Sequence, residues 1–175
     1  IDRRYMSAFF TLLNDADKTL KRLIEYFSNF KEKTVIIIFG DHTPRMPSFY
    51  KSLGLFEDNS LDNNFLENPK NFMNKYLVPF VIWTNYKHDY HNKHDLLLSV
   101  NFLPIYLFKV LGYEPKDNIQ YNIIKKLHEK FNILSFVYLD KSNKFINEND
   151  LDNETKELLL DYKLIIYDIL KGKQY

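Results

Sequence analysis

Residues 35–39, VIIIF, are five consecutive apolar residues, four of them β-branched. The run is too short to make a helix of its own. It lacks the alternation of a half-exposed strand, so it predicts a β-strand covered on both faces. Directly before it, residues 3–29 carry apolar side chains at Tyr5, Ala8, Phe9, Leu12, Leu13, Ala16, Leu20, Leu23, Ile24 and Phe27. Those steps keep one stripe on a long amphipathic helix, with Asp2 as its N-cap. A helix, a short exit over 29–33 and then a buried strand is the order of an α/β architecture.

The remaining chain extends that pattern. Residues 40–77 are rich in Pro, Asn and Asp and read as irregular, with one short helix over 48–53 ending at Gly54. Residues 78–84, VPFVIWT, predict a second buried strand, with Pro79 tolerated near its start. Ser99 or Asn101 is placed to cap a helix that runs to Leu111, with Pro104 in its first turn and Gly112 after its end. A weaker helix is expected over 117–131, with Ile123, Ile124 and Leu127 inward, then a short strand over 135–139. A closing helix over 152–170 carries Leu158, Leu159, Tyr162, Ile165, Ile166 and Ile169, and ends at Gly172. No internal repeat or linker interrupts the chain, so residues 1–175 are expected to belong to a single domain.

Composition narrows the function classes. With 24 basic and 23 acidic residues interspersed, the net charge is +1, and no basic run or face marks a nucleic-acid binder. There are no cysteines, which excludes disulfides, zinc–thiolate sites and a cysteine nucleophile. The greasiest region, 96–113, is interrupted by Asn101, Pro104 and Lys109 and is a poor membrane span. A membrane anchor, if the protein has one, is expected outside these residues. No G-x-S-x-G elbow, phosphate-binding loop or G-x-G-x-x-G occurs, and Ser48, Ser60 and Ser99 have no evident activating partner.

Chemistry concentrates at the end of the first strand, where Gly40 is followed by Asp41 and His42. Ligands in open α/β sheets bind beyond the carboxyl ends of strands. A carboxylate and a neutral imidazole there are ordinary donors for zinc or manganese. The same two residues can equally cap a turn through bonds to backbone amides. Three further histidines, His88, His91 and His94, lie in a polar stretch that reads as a solvated loop. His128 reads as structural or exposed. Asp58 and Asp62 do not fit the ligand order of an EF-hand loop.

The succession of pieces carries more than any one motif. The helix RRYMSAFFTLLNDADKTLKRLIEYF leads into TVIIIFGDHTP. FYKSLGLF, VPFVIWTNY, SVNFLPIYLFKVLGY and LLDYKLIIYDILKGKQY follow. This order resembles the C-terminal portion of the sulfatase-like lipoteichoic acid synthase family, bacterial phosphoglycerol transferases of the alkaline phosphatase superfamily. The resemblance covers nearly the whole chain. It implies an α/β fold, a fragment of an alkaline-phosphatase/sulfatase-like sheet with helices packed on it.

The resemblance also implies roles. Asp41 and His42 would ligate the catalytic divalent metal, manganese first, with zinc or magnesium as alternatives. The threonine nucleophile, the other acidic ligand and a substrate-binding histidine would lie upstream. Thr43 does not match the nucleophile position, so no catalytic residue is assigned within this chain, and the chain alone is expected to be inactive. The reaction implied is transfer of phosphoglycerol, or phosphoethanolamine, from an anionic phospholipid head group to a polyol or glycan acceptor in cell-envelope polymer synthesis. The location implied is extracytoplasmic at the cell membrane, through an upstream anchor, and an exposed sheet edge suggests a dimer. Two rivals stand beside it. One is a sulfatase or phosphodiesterase, with water as acceptor. The other is a non-catalytic binding domain that uses Tyr86, Tyr90 and Tyr121 as a contact surface.

Overall fold

The computed structural model describes residues 3–55, 73, 75–90, 96–135 and 137–172. The chain is an α/β fold of helices and small antiparallel sheets, organised as two compact units, Ile1–Lys87 and His88–Tyr175.

The first unit begins with α1, Arg3–Ser28, close to the span its periodicity predicts. No residue of α1 is fully buried. Met6, Phe9, Leu20, Ile24 and Phe27 are half-buried, whereas Tyr5, Leu12, Leu13 and Leu23 from the predicted stripe stay exposed. At its end Tyr26, Phe27 and Phe30 pack ring to ring, with centroids 5.0 to 5.2 Å apart. The expected cap, Asp2, lies outside the described residues.

Strand β1, Val35–Phe39, pairs antiparallel with β2, Phe80–Thr84, over all five positions, from Val35 opposite Thr84 to Phe39 opposite Phe80. Among the described residues this sheet has these two strands alone. The expectation that β1 is covered on both faces is not met: its first four residues are half-buried and Phe39 is exposed. A continuous apolar run reports a strand's own preference; which faces are covered depends on what packs there. Helix α2, Pro47–Ser52, follows β1, and Gly54 just after it has φ +67°. The only fully buried hydrophobic side chain described in this unit is Met46.

The second unit has the denser core. A 3₁₀ turn, Val100–Phe102, runs into α3, Leu103–Leu111. Gly112 closes α3 in the left-handed conformation, φ 66° and ψ 27°, as the sequence predicts. Helix α4, Ile119–Lys130, is capped by Asn118, whose side chain accepts from the Tyr121 N–H. Strands β3 (Phe131–Leu134), β4 (Tyr138–Asp140) and β5 (Phe145–Ile146) form an antiparallel sheet in that order. This corrects the expected single strand over 135–139. Phe131 opens β3 instead of ending the helix, and Ser135 lies between two strands. The pairing slips between Phe131 and Ile133, so Asn132 is bulged out of the ladder. Helix α5, Asn153–Lys171, is capped by Asp152, which accepts from both the N–H and the hydroxyl of Thr155.

Phe102, Leu127, Phe131, Leu134, Tyr138, Leu151 and Leu159 make the buried cluster of this unit. Truncating any of the large ones to Ala costs about 2–5 kcal/mol, because the lost transfer energy is joined by a cavity. Ser99 stands at the N-cap of the 3₁₀ turn, as expected, but its side chain and that of Asn101 bind β3 rather than the helix end. The Ser99 hydroxyl accepts the Leu134 N–H at 2.7 Å and donates to the Leu134 carbonyl at 3.2 Å, and the Asn101 amide donates to that carbonyl at 3.0 Å. No helix among the described residues is long and apolar enough to cross a membrane.

Candidate metal centre

The segment after β1 is held at several points before its polar side chains come into play. The Gly40 N–H donates to the Pro79 carbonyl at 3.1 Å, which extends the β1–β2 ladder by one step. A Cβ built on Gly40 would lie 3.0 Å from Val78 Cβ. Glycine therefore fits a tight approach to the Val78 side chain here, and its φ is not in the left-handed range. The Thr43 hydroxyl donates to the Lys75 carbonyl at 2.6 Å, and the Tyr50 hydroxyl to the Pro44 carbonyl at 2.8 Å. The Thr43 hydroxyl is thus committed to the backbone.

Within this frame Asp41 and His42 are brought together. Asp41 Oδ1 accepts the His42 backbone N–H at 2.8 Å, which is the turn cap that the sequence allows. Its other oxygen, Oδ2, stands 3.5 Å from His42 Nε2. His42 Nδ1 is 3.0 Å from the Thr43 carbonyl, and a carbonyl only accepts, so Nδ1 carries the proton. In the neutral ring Nε2 is then left with its lone pair, the tautomer that a metal ligand needs. Both side chains are open to solvent, His42 76% and Asp41 87% exposed.

The pair's chemistry fits a divalent cation. Two donors at about 2.1 Å from one tetrahedral ion stand about 3.4 Å apart. The separation of Oδ2 and Nε2 is 3.5 Å, so neither side chain would have to move far to share an ion. Among the described residues no cluster of three or more His, Asp or Glu side chains is assembled for a metal. The capping bond and the 3.5 Å approach to His42 use different oxygens of Asp41, so the turn-cap bond does not block the second oxygen.

The other sequence candidates separate. His88 Nδ1 accepts the Tyr90 N–H at 3.1 Å, as a loop residue does, and His91 and His94 lie outside the described residues. Asp58, Asp62 and Ser60 lie outside them too. Tyr121, weighed as an exposed contact, is buried and meets the Phe108 ring edge-on at 5.3 Å. Tyr86 is half-buried with the Lys33 ammonium 5.3 Å from its ring centroid, and Tyr90 is exposed. A cleft of about 580 Å³ lies along α5, lined by Asn147, Glu148, Asn149, Lys156, Leu160 and Lys163. Its charges are already engaged: Lys163 with Glu148 at 3.0 Å, and Lys156 with the Asn149 carbonyl at 3.0 Å.

Sequence reasoning missed Asn85. Its amide donates to the carbonyls of Phe27, Phe30 and Glu32 at 3.2, 3.1 and 2.9 Å, while its oxygen accepts the Thr34 N–H. An Asn at the end of an apolar strand is the available signal, because its side chain both donates and accepts.

Comparison with known proteins completes the picture. A family model described as Sulfatase matches residues 1–113. A protein of Rhizobium meliloti (strain 1021), named for cyclic beta-1,2-glucan modification, is 24% identical over 176 residues. The alignment takes in 99% of this chain and 26% of that protein, so the chain spans about a quarter of the relative's length. No solved structure matches the chain.

Proposed function

We propose, from the premise that the chain belongs to the sulfatase family, that it is the C-terminal part of a metal-dependent phosphotransferase. The enzyme would move phosphoglycerol or phosphoethanolamine from an anionic lipid head group to a hydroxyl of a glycan or polyol outside the cell membrane. The observation that carries this reading is the Asp41–His42 donor pair at the end of β1, inside the segment that the family model matches. The relative named for glucan modification supports a hydroxyl-rich acceptor.

Each residue has a defined task in this reading. Asp41 Oδ2 contributes a charged oxygen donor and His42 Nε2 a neutral nitrogen donor, a mixed set that suits manganese or zinc. The Thr43 carbonyl fixes the imidazole's tautomer and orientation, and Gly40 against Val78 fixes where the pair is mounted. A divalent metal, when bound, supplies Lewis acidity at a phosphoryl oxygen and makes a nucleophile's hydroxyl easier to deprotonate. Asp41 and His42 would position it and would not themselves transfer protons. The nucleophile would come from outside these 175 residues, so the chain alone should not turn over a phosphodiester.

The test is calorimetric titration of manganese and of zinc into the intact parent protein, beside its Asp41→Ala and His42→Ala variants. Loss of tight binding in both variants supports the reading. Unchanged binding in the variants returns the pair to a turn cap and puts the binding-domain reading ahead. The family's description favours one other enzyme, a hydrolase with water as acceptor. Supplying a labelled phosphoglycerol lipid together with a glucan separates the two, since label on the glucan means transfer and label released to solution means hydrolysis.

A further inference from the structure

Side chains from α3, α4 and the turn after β4 converge in the second unit. The Lys141 ammonium donates to His128 Nδ1 at 3.2 Å and to Asn132 Oδ1 at 3.1 Å. The bulge at Asn132 frees that side chain from the ladder to do so. An ammonium only donates, so Nδ1 carries the lone pair and the ring proton lies on Nε2. Nε2 faces the Tyr106 hydroxyl at 3.3 Å. The Phe102 ring backs the imidazole, with centroids 4.9 Å apart. Lys109 places its ammonium 5.2 Å from the centroid of the Tyr106 ring and 5.8 Å from that of Tyr90.

The cluster is electrically one-sided. Lys109 pushes the Lys141 pKa down, second to burial, and both lysines depress His128 behind its burial. Three other lysines of this unit stand within 4 Å of a carboxylate: Lys125 with Glu114, Lys130 with Asp152 and Lys163 with Glu148. Among the described residues no carboxylate pairs with Lys109 or Lys141. Asp140 is next to Lys141 in sequence, but its Oδ1 accepts from the Ser142 N–H, the Ser142 hydroxyl and the Lys144 N–H. Glu114 feels the charge of Lys109 but is engaged by Lys125, so the two exposed ammonium groups leave a local excess of positive charge that an added anion would offset.

We propose that Lys109, Lys141 and Tyr106, ordered around His128, form a binding site for a phosphate group, free or carried on a small ester. Lys141 has one proton uncommitted, and Lys109 makes no side-chain hydrogen bond among the described residues. Tyr106 accepts from His128 and keeps its own hydroxyl proton to donate outward. Charge-assisted bonds from two ammonium groups are the usual means of holding a tetrahedral oxyanion. The exposed ring of Tyr90, beside Lys109, offers an apolar wall to the carbons of an ester. The site is built from the second unit alone and does not depend on Asp41 or His42.

The test follows the His128 ring resonances by NMR in the 175-residue chain during titration with sodium phosphate, beside sodium chloride at equal ionic strength. We expect a saturable shift specific to phosphate, weakened about tenfold in Lys109→Met and again in Lys141→Met, each of which keeps the apolar stem. A rise of the His128 pKa on saturation should accompany it. A shift no larger than that with chloride, or one unchanged in the double Met variant, overturns the site. Glycerol 3-phosphate is titrated in parallel: tighter binding than phosphate assigns a phosphate ester as occupant, and weaker binding assigns free phosphate.

Discussion

The side-chain oxygen of Asn85 accepts the backbone N–H of Thr34 at 2.8 Å, across the end of the β1–β2 sheet. The same side chain donates to the carbonyls of Phe27, Phe30 and Glu32, which follow from the last turn of α1. A helix end leaves carbonyls short of intrahelical donors, and the Asn85 amide adds to the bonds that the Phe30 N–H and the Thr34 hydroxyl make there. Helix, connector and both strands are thereby tied by a single residue. Asn85→Ala should destabilise the chain by about 1–2 kcal/mol, since the half-buried Thr34 N–H loses its acceptor and the three carbonyls lose a shared donor. Urea denaturation should show a lower midpoint. Asn85→Asp should not rescue it, because a carboxylate cannot donate to three carbonyls; a midpoint equal to wild type would refute the clamp.

Gly40 offers a second check, at the mount of the Asp41–His42 pair. Its missing side chain leaves room for Val78, whose Cβ would sit 3.0 Å from an added methyl. Gly40→Ala should cost about 1–2 kcal/mol through overpacking. Because the clash is with one side chain, Val78→Ala in the same chain should recover part of that loss. A double-mutant cycle in urea measures the coupling, and strict additivity would show that the contact is not the cause.

How much of this was legible beforehand depends on whether an element is defined by its own period. Helices α1 and α5 were readable because their apolar steps repeat at 3.6 residues over many turns, and Asp152 and Gly172 mark the ends of α5 as expected. The β3–β4 hairpin was not. Residues 131–139, FNILSFVYL, have no glycine turn, and the bulge at Asn132 breaks the alternation that would have marked two strands. At the candidate metal centre the adjacency of Asp41 and His42 was visible in sequence, but the bond that sets the imidazole's tautomer goes to a backbone carbonyl, which every residue has. His128 was passed over for a related reason. Its partners Tyr106 and Lys141 lie 22 and 13 residues away, and only the packing of α3 and the β4 turn against α4 joins them.

Ser99 shows how a capping signal can serve tertiary structure. Its hydroxyl makes both bonds to Leu134, at 2.7 and 3.2 Å, and its own N–H donates to the Asn132 carbonyl at 2.9 Å. The segment before α3 is thus stitched onto β3. Ser99→Ala should cost about 1–3 kcal/mol, because the Leu134 N–H is left without its partner in a partly buried place. Hydrogen exchange at the Leu134 amide should accelerate in the variant. Wild-type protection there would mean that the backbone bond alone holds the edge.

The His128 ring gives the chain a pH dependence with a definite sign. Burial, then Lys141 and Lys109, hold its pKa at about 4, against 6.5 for a free imidazole. The Lys141 ammonium faces Nδ1, Tyr106 faces Nε2, and Lys109 adds its charge from α3. Between those two values the unfolded ring binds a proton that the folded ring refuses. Stability therefore rises with pH through this window, and is lost as the pH falls from about 6.5 toward about 4. Screening by solvent around this half-buried ring limits the loss to on the order of 1–2 kcal/mol. Denaturation of wild type and His128→Gln at a series of pH values should show that slope in the wild type alone. The carboxylates held low, Glu114, Asp140, Glu148 and Asp152, are common to both chains and cancel in the difference. Parallel curves for the two proteins would mean that His128 is not the group responsible. Adding phosphate should flatten the wild-type slope if the neighbouring lysines take up an anion, since the ring would then accept its proton at a higher pH.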